Sequence, residues 1–154
     1  NDAISIDPNT AIADQPSLPR FKASTNFDNF VVKDVWTTVA INTVETNDQG
    51  CFDANTNLFT APVDATYLLG GTLHYKKHLS NAQQSVRMLL NGTDVVSGSH
   101  GRNGGTHFTL SHSIWTQTMA VLNAGDTVEL QALYNNNDAY VAADETVFWG
   151  CKIG

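Results

Sequence analysis

The sequence predicts an all-β chain folded as a sandwich or barrel. Three observations carry this. Short segments rich in Val, Thr, Ile, Tyr and Phe alternate in polarity at period two. Clusters of Asn, Asp and Gly separate them. No long segment carries an apolar stripe at the helical period.

Residues 1–18 hold Asn, Asp, Ser and two prolines with weak apolar spacing. They read as an extended leader into a domain spanning residues 19–154. From Trp36 to Val44 the chain is β-branched, as strands prefer. Gln49-Gly50 and Asp53–Asn57 are turn clusters, and Phe59–Pro62 is a short strand with Pro at its edge. Tyr67, Leu69, Leu73 and Tyr75 share one strand face; Leu68, Thr72 and His74 share the other. Ser85–Leu90, Asn91-Gly92 and Thr93–Val96 read as a hairpin, Asn-Gly supplying the two positive φ angles of a type I′ turn. Ser97–Thr106 reads as a long Gly-rich mobile loop, Phe108–Leu122 as a strand region and Asn135–Asp138 as a loop. After the Ala124–Asp126 turn, Val128, Leu130, Ala132 and Tyr134 alternate with Glu129, Gln131 and Leu133. The last strand is apolar on both faces: Val147, Trp149, Cys151 and Ile153 point one way and Phe148 the other. That pattern predicts one face in the core and one against a partner subunit.

At 154 residues and 42% apolar content, one domain fills its own core. A net charge of −7 with no basic run argues against nucleic acid and anionic membrane as partners. No apolar run reaches the roughly 20 residues of a membrane-spanning helix, so no membrane insertion is expected. The missing signal peptide and initiator Met predict a piece processed from a longer chain. Cys51 and Cys151 are either two separate thiols, the simpler reading, or one bridge closing a loop of about 100 residues, worth up to ~4.7 kcal/mol on the chain-entropy model.

Catalytic and metal signals are weak. His107 and His112 would face opposite ways on one strand, and no HxH or HExxH spacing occurs. His74 and His78 share a face only if their strand continues through both lysines between them. No nucleophile elbow is present, Asp144 and Glu145 are adjacent, and Gly98–Gly105 lacks the Lys-Ser/Thr of a phosphate loop. No catalytic residue and no required cofactor are expected. Asn91-Gly92-Thr93 is a glycosylation sequon, but the turn accounts for it.

Four stretches in order resemble the C1q globular domain of the C1q/tumour-necrosis-factor superfamily. Phe21–Ser24 resembles its opening "FsA". Gly50–Tyr67, containing Phe59-Thr-Ala-Pro62-Val-Asp64, resembles its central signature. Leu122–Leu130 resembles "L..GD.V.L", and Thr146–Ile153 its closing "tFsGfli". Trp36 matches the early tryptophan and Leu90-Asn91-Gly92 the mid-domain hairpin. Asn57 and Ala65 stand where the family has glycine.

The resemblance implies a jelly-roll β-sandwich of about ten strands that assembles as a homotrimer and binds ligands without catalysis. The expected trimer interface is Trp149, Phe148, Tyr67 and Tyr75. Asp126, in the Gly-Asp turn, is the candidate calcium ligand near the three-fold axis, against the simpler reading of a plain turn. The candidate ligand-binding loop residues are His100, Arg102, Asn103, Asn136 and Asp138, together with the loop after Leu79. The expected role is the receptor- or ligand-recognising tip of an extracellular or virion protein of the phage-fibre type, with a cell-surface glycan or protein as partner. The alternatives are a structural trimer that decorates or staples a capsid or caps a fibre, and a secreted animal C1q-related factor.

Overall fold

The computed structural model describes residues 5–6, 13–14, 18–76, 83–104 and 111–154. Its early strands are β1 (Ser5–Ile6), β2 (Ala13–Asp14), β3 (Arg20–Ser24), β4 (Asn29–Val31), β5 (Thr37–Thr38) and β6 (Thr43–Asp48). Then come β7 (Phe52–Asp53), β8 (Leu58–Thr60), β9 (Ala65–Tyr75), β10 (Gln84–Leu90) and β11 (Asp94–Val95). The chain closes with β12 (Gly101–Asn103), β13 (His112–Leu122), β14 (Thr127–Tyr134), β15 (Ala139–Val141) and β16 (Val147–Lys152). β1 and β2 pair with each other and with no strand of the two large sheets.

Those sheets face each other. In the first, β9 pairs with β13 along its whole length at one side. On the other side it meets β16, and β15 at Tyr75. β16 continues to β3 and then β6, while β15 continues to β4. In the second sheet β11 and β12 share one side of β10; β14 lies on its other side. β5 and β8 share the far side of β14, and β7 follows β8. Strands that share a side form one column, so each sheet has five columns. The pairings are antiparallel, and β3 lies beside the last strand of the chain. This is a jelly roll.

Alternation decides what fills the space between the sheets. Phe21, Tyr67, Leu69, Leu73, Tyr75, Met88, Leu130, Tyr134 and Phe148 point inward and are almost wholly buried. The phenyl rings of Phe21 and Phe52 stack at 5.0 Å, and Phe148 meets Phe21 edge-on at 4.9 Å. Burial of Tyr75 is offset by its hydroxyl, which donates to Ser85 O at 2.8 Å and Leu133 O at 3.1 Å.

The hairpin turn forms as its residues dictate. Asn91 and Gly92 have φ of 50° and 71°, and Thr93 N donates to Leu90 O at 3.1 Å. Asn57, in place of the family's glycine, takes φ 61°, and its Oδ1 accepts from Ile41 N at 2.8 Å. The Gly-rich stretch departs from expectation. Its described part is a pinned segment, not a mobile loop. Ser99 is buried, its Oγ accepts from Met88 N at 3.0 Å, and its carbonyl accepts from Thr116 Oγ1 at 2.6 Å. β12 then adds to the edge of β10. The short Ser99 hydroxyl serves a backbone amide that no strand pairs.

Candidate functional site

Each sheet has an outer face, and the two differ in chemistry. On the first sheet, β13 presents Trp115, Met119 and Val121 outward, with exposures of 71%, 66% and 82%. Register places Met119 beside Leu68 and Trp115 beside Thr72. Across β9, Leu68 meets Cys151 and Gly70 meets Trp149. Trp149 lies flat over Gly70; a Cβ there would sit 2.1 Å from the indole. Only glycine lets the ring close onto the sheet. Beside β13, Leu90, Val95, Val96, Met119 and Leu122 line a groove of about 240 Å³. At the other end of this face, Phe30 and Tyr140 pair across β4 and β15 and are also exposed. Charges on the face are paired: Arg20 with Asp48, Lys22 with Glu45 at 2.6 Å, and Lys76 with Asp28.

One group on this face resembles catalytic machinery and does not have its geometry. His74 Nδ1 lies 2.8 Å from Ser113 Oγ and 2.9 Å from Glu145 Oε2. A Ser–His–acid relay needs the serine on one ring nitrogen and the acid on the other. Here both contacts fall on the same nitrogen.

Of the four expected interface residues, three are corrected. Phe148, Tyr67 and Tyr75 are 0% exposed within a single chain. Strand parity sends them inward, against the second sheet, where Tyr67 also donates to Val63 O at 2.9 Å. Trp149, with the opposite parity, is half-buried on the outer face. The residues overlooked are Trp115, Met119 and Val121. Their signal was legible: β13 has apolar residues at both parities, with Ile114 and Leu122 inward.

The second sheet's outer face is polar. The Arg87 guanidinium lies over the Trp36 ring at 4.1 Å, and its Nε donates to Gln131 Oε1 at 2.8 Å. Gln131 Nε2 donates to Glu129 Oε1 at 2.9 Å, and Thr38 Oγ1 donates to Glu129 Oε2 at 3.0 Å. His100 meets Trp36 edge-on at 5.4 Å. Burial, then the charges of Arg102 and Arg87, hold the His100 imidazole below its usual pKa. Trp36, Arg87, Glu129 and Gln131 were not singled out as a group, because three separate segments bring them together.

The remaining candidates separate. Asn103 pairs with Gln84 at the end of β12. Asn136 N and Asn135 Nδ2 donate to Asp34 Oδ1 at 3.0 and 3.1 Å, and Asp138 Oδ1 accepts from Lys33 N at 2.8 Å. Asn135–Asp138 is thus stapled to the turn before β5. Asp126 accepts from Asn91 Nδ2 at 2.9 Å on one oxygen and from Asn123 N at 2.8 Å on the other. Those bonds hold its carboxyl below the usual range. They tie the Asn91-Gly92 turn to the Gly125-Asp126 turn. No cluster of metal-ligating side chains occurs among the described residues. Cys51 and Cys151 are both free, one in the core and one on the outer face of the first sheet. The loop after Leu79, with His78, and His107 lie outside the described residues.

The strand order places the molecule in the C1q/tumour-necrosis-factor class of jelly rolls. The globular domain of zebrafish complement 1qA superposes with a TM-score of 0.66 at 15% identity, covering 88% of this chain and 98% of that one. Murine APRIL superposes with a TM-score of 0.64 at 13% identity over 88% and 99%. The Eiger TNF of S. frugiperda gives 0.66 at 8% identity over 90% and 94%. Within that class, the C1q domain family model matches residues 21–151, and the chain belongs to this family. A comparison with curated protein sequences finds no match.

Proposed function

We propose that the chain is a non-enzymatic binding module that works as a homotrimer, displayed outside cells or on a virion, with a cell-surface glycan or protein as its partner. The supporting observation is the outer face of the first sheet. Trp115, Met119 and Val121 stand exposed on one strand, continuous with Leu68, Cys151 and Trp149. An apolar surface of this kind on a soluble chain marks a contact with another protein surface. A second copy suits it, because the same chain offers both the apolar face and the apolar edge groove beside β13. Three copies also suit weak recognition, since linked sites gain avidity when geometry fits.

The test is sedimentation equilibrium of the wild type and of Trp115→Glu. The wild type is expected at three times the monomer mass. The variant is expected to dissociate, because a carboxylate at the centre of an apolar contact costs about 2–5 kcal/mol. A wild type that sediments as a monomer at micromolar concentration overturns the reading.

A further inference from the structure

The outer face of the second sheet takes no part in the assembly proposed above, and it brings two arginines and a histidine around one tryptophan. Arg20, Lys22, Lys33 and Lys76 each have a carboxylate within ion-pair distance. Among the described residues, Arg87, Arg102 and Lys152 have none, and of these the two arginines lie on the second sheet. Two of the chain's three arginines therefore stand on one face, and the nearest carboxylate, Glu129, is engaged by Gln131 and Thr38 and makes no ion pair with Arg87. Arg102 pairs with Ser85, two residues from Arg87 on the same strand, so the two side chains share one face as a diagonal pair.

Arg87 is also held in place. Its stem crosses the sheet, its ring-side face lies on Trp36, and its Nε is tied to Gln131. Gln131 is oriented by Glu129, whose two oxygens are occupied by Gln131 and Thr38. The nearby carboxylate thus positions the arginine through a neutral amide and makes no ion pair with it. Among the described residues the guanidinium is hydrogen-bonded through Nε, which leaves both terminal nitrogens as donors, in the planar fork that matches a carboxylate. An arginine fixed in advance loses less entropy when a ligand arrives.

We infer that Arg87 and Arg102 bind the carboxylate of an acidic sugar, with Trp36 and His100 flanking its ring. Aromatic rings beside a fixed cation suit a pyranose, whose apolar C–H groups lie next to its charge. Two arginines on an acidic protein are too few for a nucleic-acid backbone. Burial first, and the charges of Arg102 and Arg87 after it, hold the His100 imidazole below its usual pKa, and a bound carboxylate would oppose the second of these. This site rests on reading the chain as a binding module and names the class of ligand that the module takes.

The test is an NMR titration of the assembled protein with a uronic-acid trisaccharide, a neutral trisaccharide of similar size, and inorganic phosphate. The acidic sugar is expected to shift the Trp36 indole and His100 ring signals, and to raise the pH at which His100 titrates. Arg87→Gln and Arg102→Gln are each expected to weaken binding at least tenfold. Arg87→Lys, which keeps the charge and loses the fork, should fall between. The proposal fails if the neutral sugar binds as tightly, if phosphate does so at the same signals, if both glutamine variants bind like wild type, or if nothing binds. The mass of each sample separates the two readings. A trimer that ignores the acidic sugar removes this site alone, and a monomer that binds it removes the trimer alone.

Discussion

The two outer faces of this sandwich are built by the same backbone rule and end with opposite chemistry. On the first sheet, outward positions hold Trp115, Met119, Val121, Leu68 and Trp149. On the second they hold Arg87, Glu129, Gln131 and Thr38. Alternation guarantees each sheet an outward row and says nothing of what the row is for. Composition decides that. An apolar row stays in water only at a cost that contact with another protein removes. A polar row stays in water freely and selects partners through the groups left without a counterpart.

The sharpest way to break this comparison uses two neighbours in sequence. Phe148 and Trp149 stand on β16 with opposite parity. Phe148→Ala opens the core against Phe21 and Phe52, so the melting midpoint should fall steeply, by the equivalent of about 3–5 kcal/mol. Trp149→Ala should leave the single-chain fold largely intact and weaken assembly. Thermal melts combined with mass measurements decide it. Equal loss of fold in both variants would mean that the outer face is structural and not an interface.

A smaller effect is expected at the turns that close both sheets at one end. Asn91→Asp replaces the amide that donates to Asp126 with a second carboxylate. At pH 7 both are ionised and repel, so the melting midpoint should fall. In the wild type, Asp126 has a lowered pKa, so its contribution is present above the unfolded value near ~3.9 and is lost as pH falls through the folded one. The gap between variant and wild type should therefore narrow below about pH 4, as the paired carboxylates protonate. Melting curves between pH 3 and 7 that stay parallel would remove Asp126 from this role.

The least perturbing probe is the pair of thiols. Burial pushes the Cys51 thiol up to about 11, so it should resist a thiol reagent in the folded protein. Cys151, half-exposed beside Leu68 and Arg20, should react. If the first sheet's outer face packs against a second copy, labelling of Cys151 should slow several-fold as protein concentration rises. A rate independent of concentration would place Cys151 outside the contact.

The all-β class, the Asn91-Gly92 turn and the alternating rows of β9 and β14 were legible in the residues themselves, and the jelly roll in the resemblance to the family; that the Tyr67 and Tyr75 row faces the core was not. Period-two alternation and turn chemistry are local properties, carried by neighbours in the chain. The doubly apolar character of β16 was legible too, but not which of Phe148 and Trp149 faces the core. Parity is relative until a strand is paired, and only pairing with β3 and β9 settles it. The pinning of Ser99 and the meeting of Trp36, Arg87, His100 and Gln131 were not legible. Those side chains belong to segments far apart in sequence, and their distances exist only after non-local strands pair. Local composition therefore determined the class of fold and its turns, while tertiary structure alone chose which face meets water, which meets the core and which two arginines share a face.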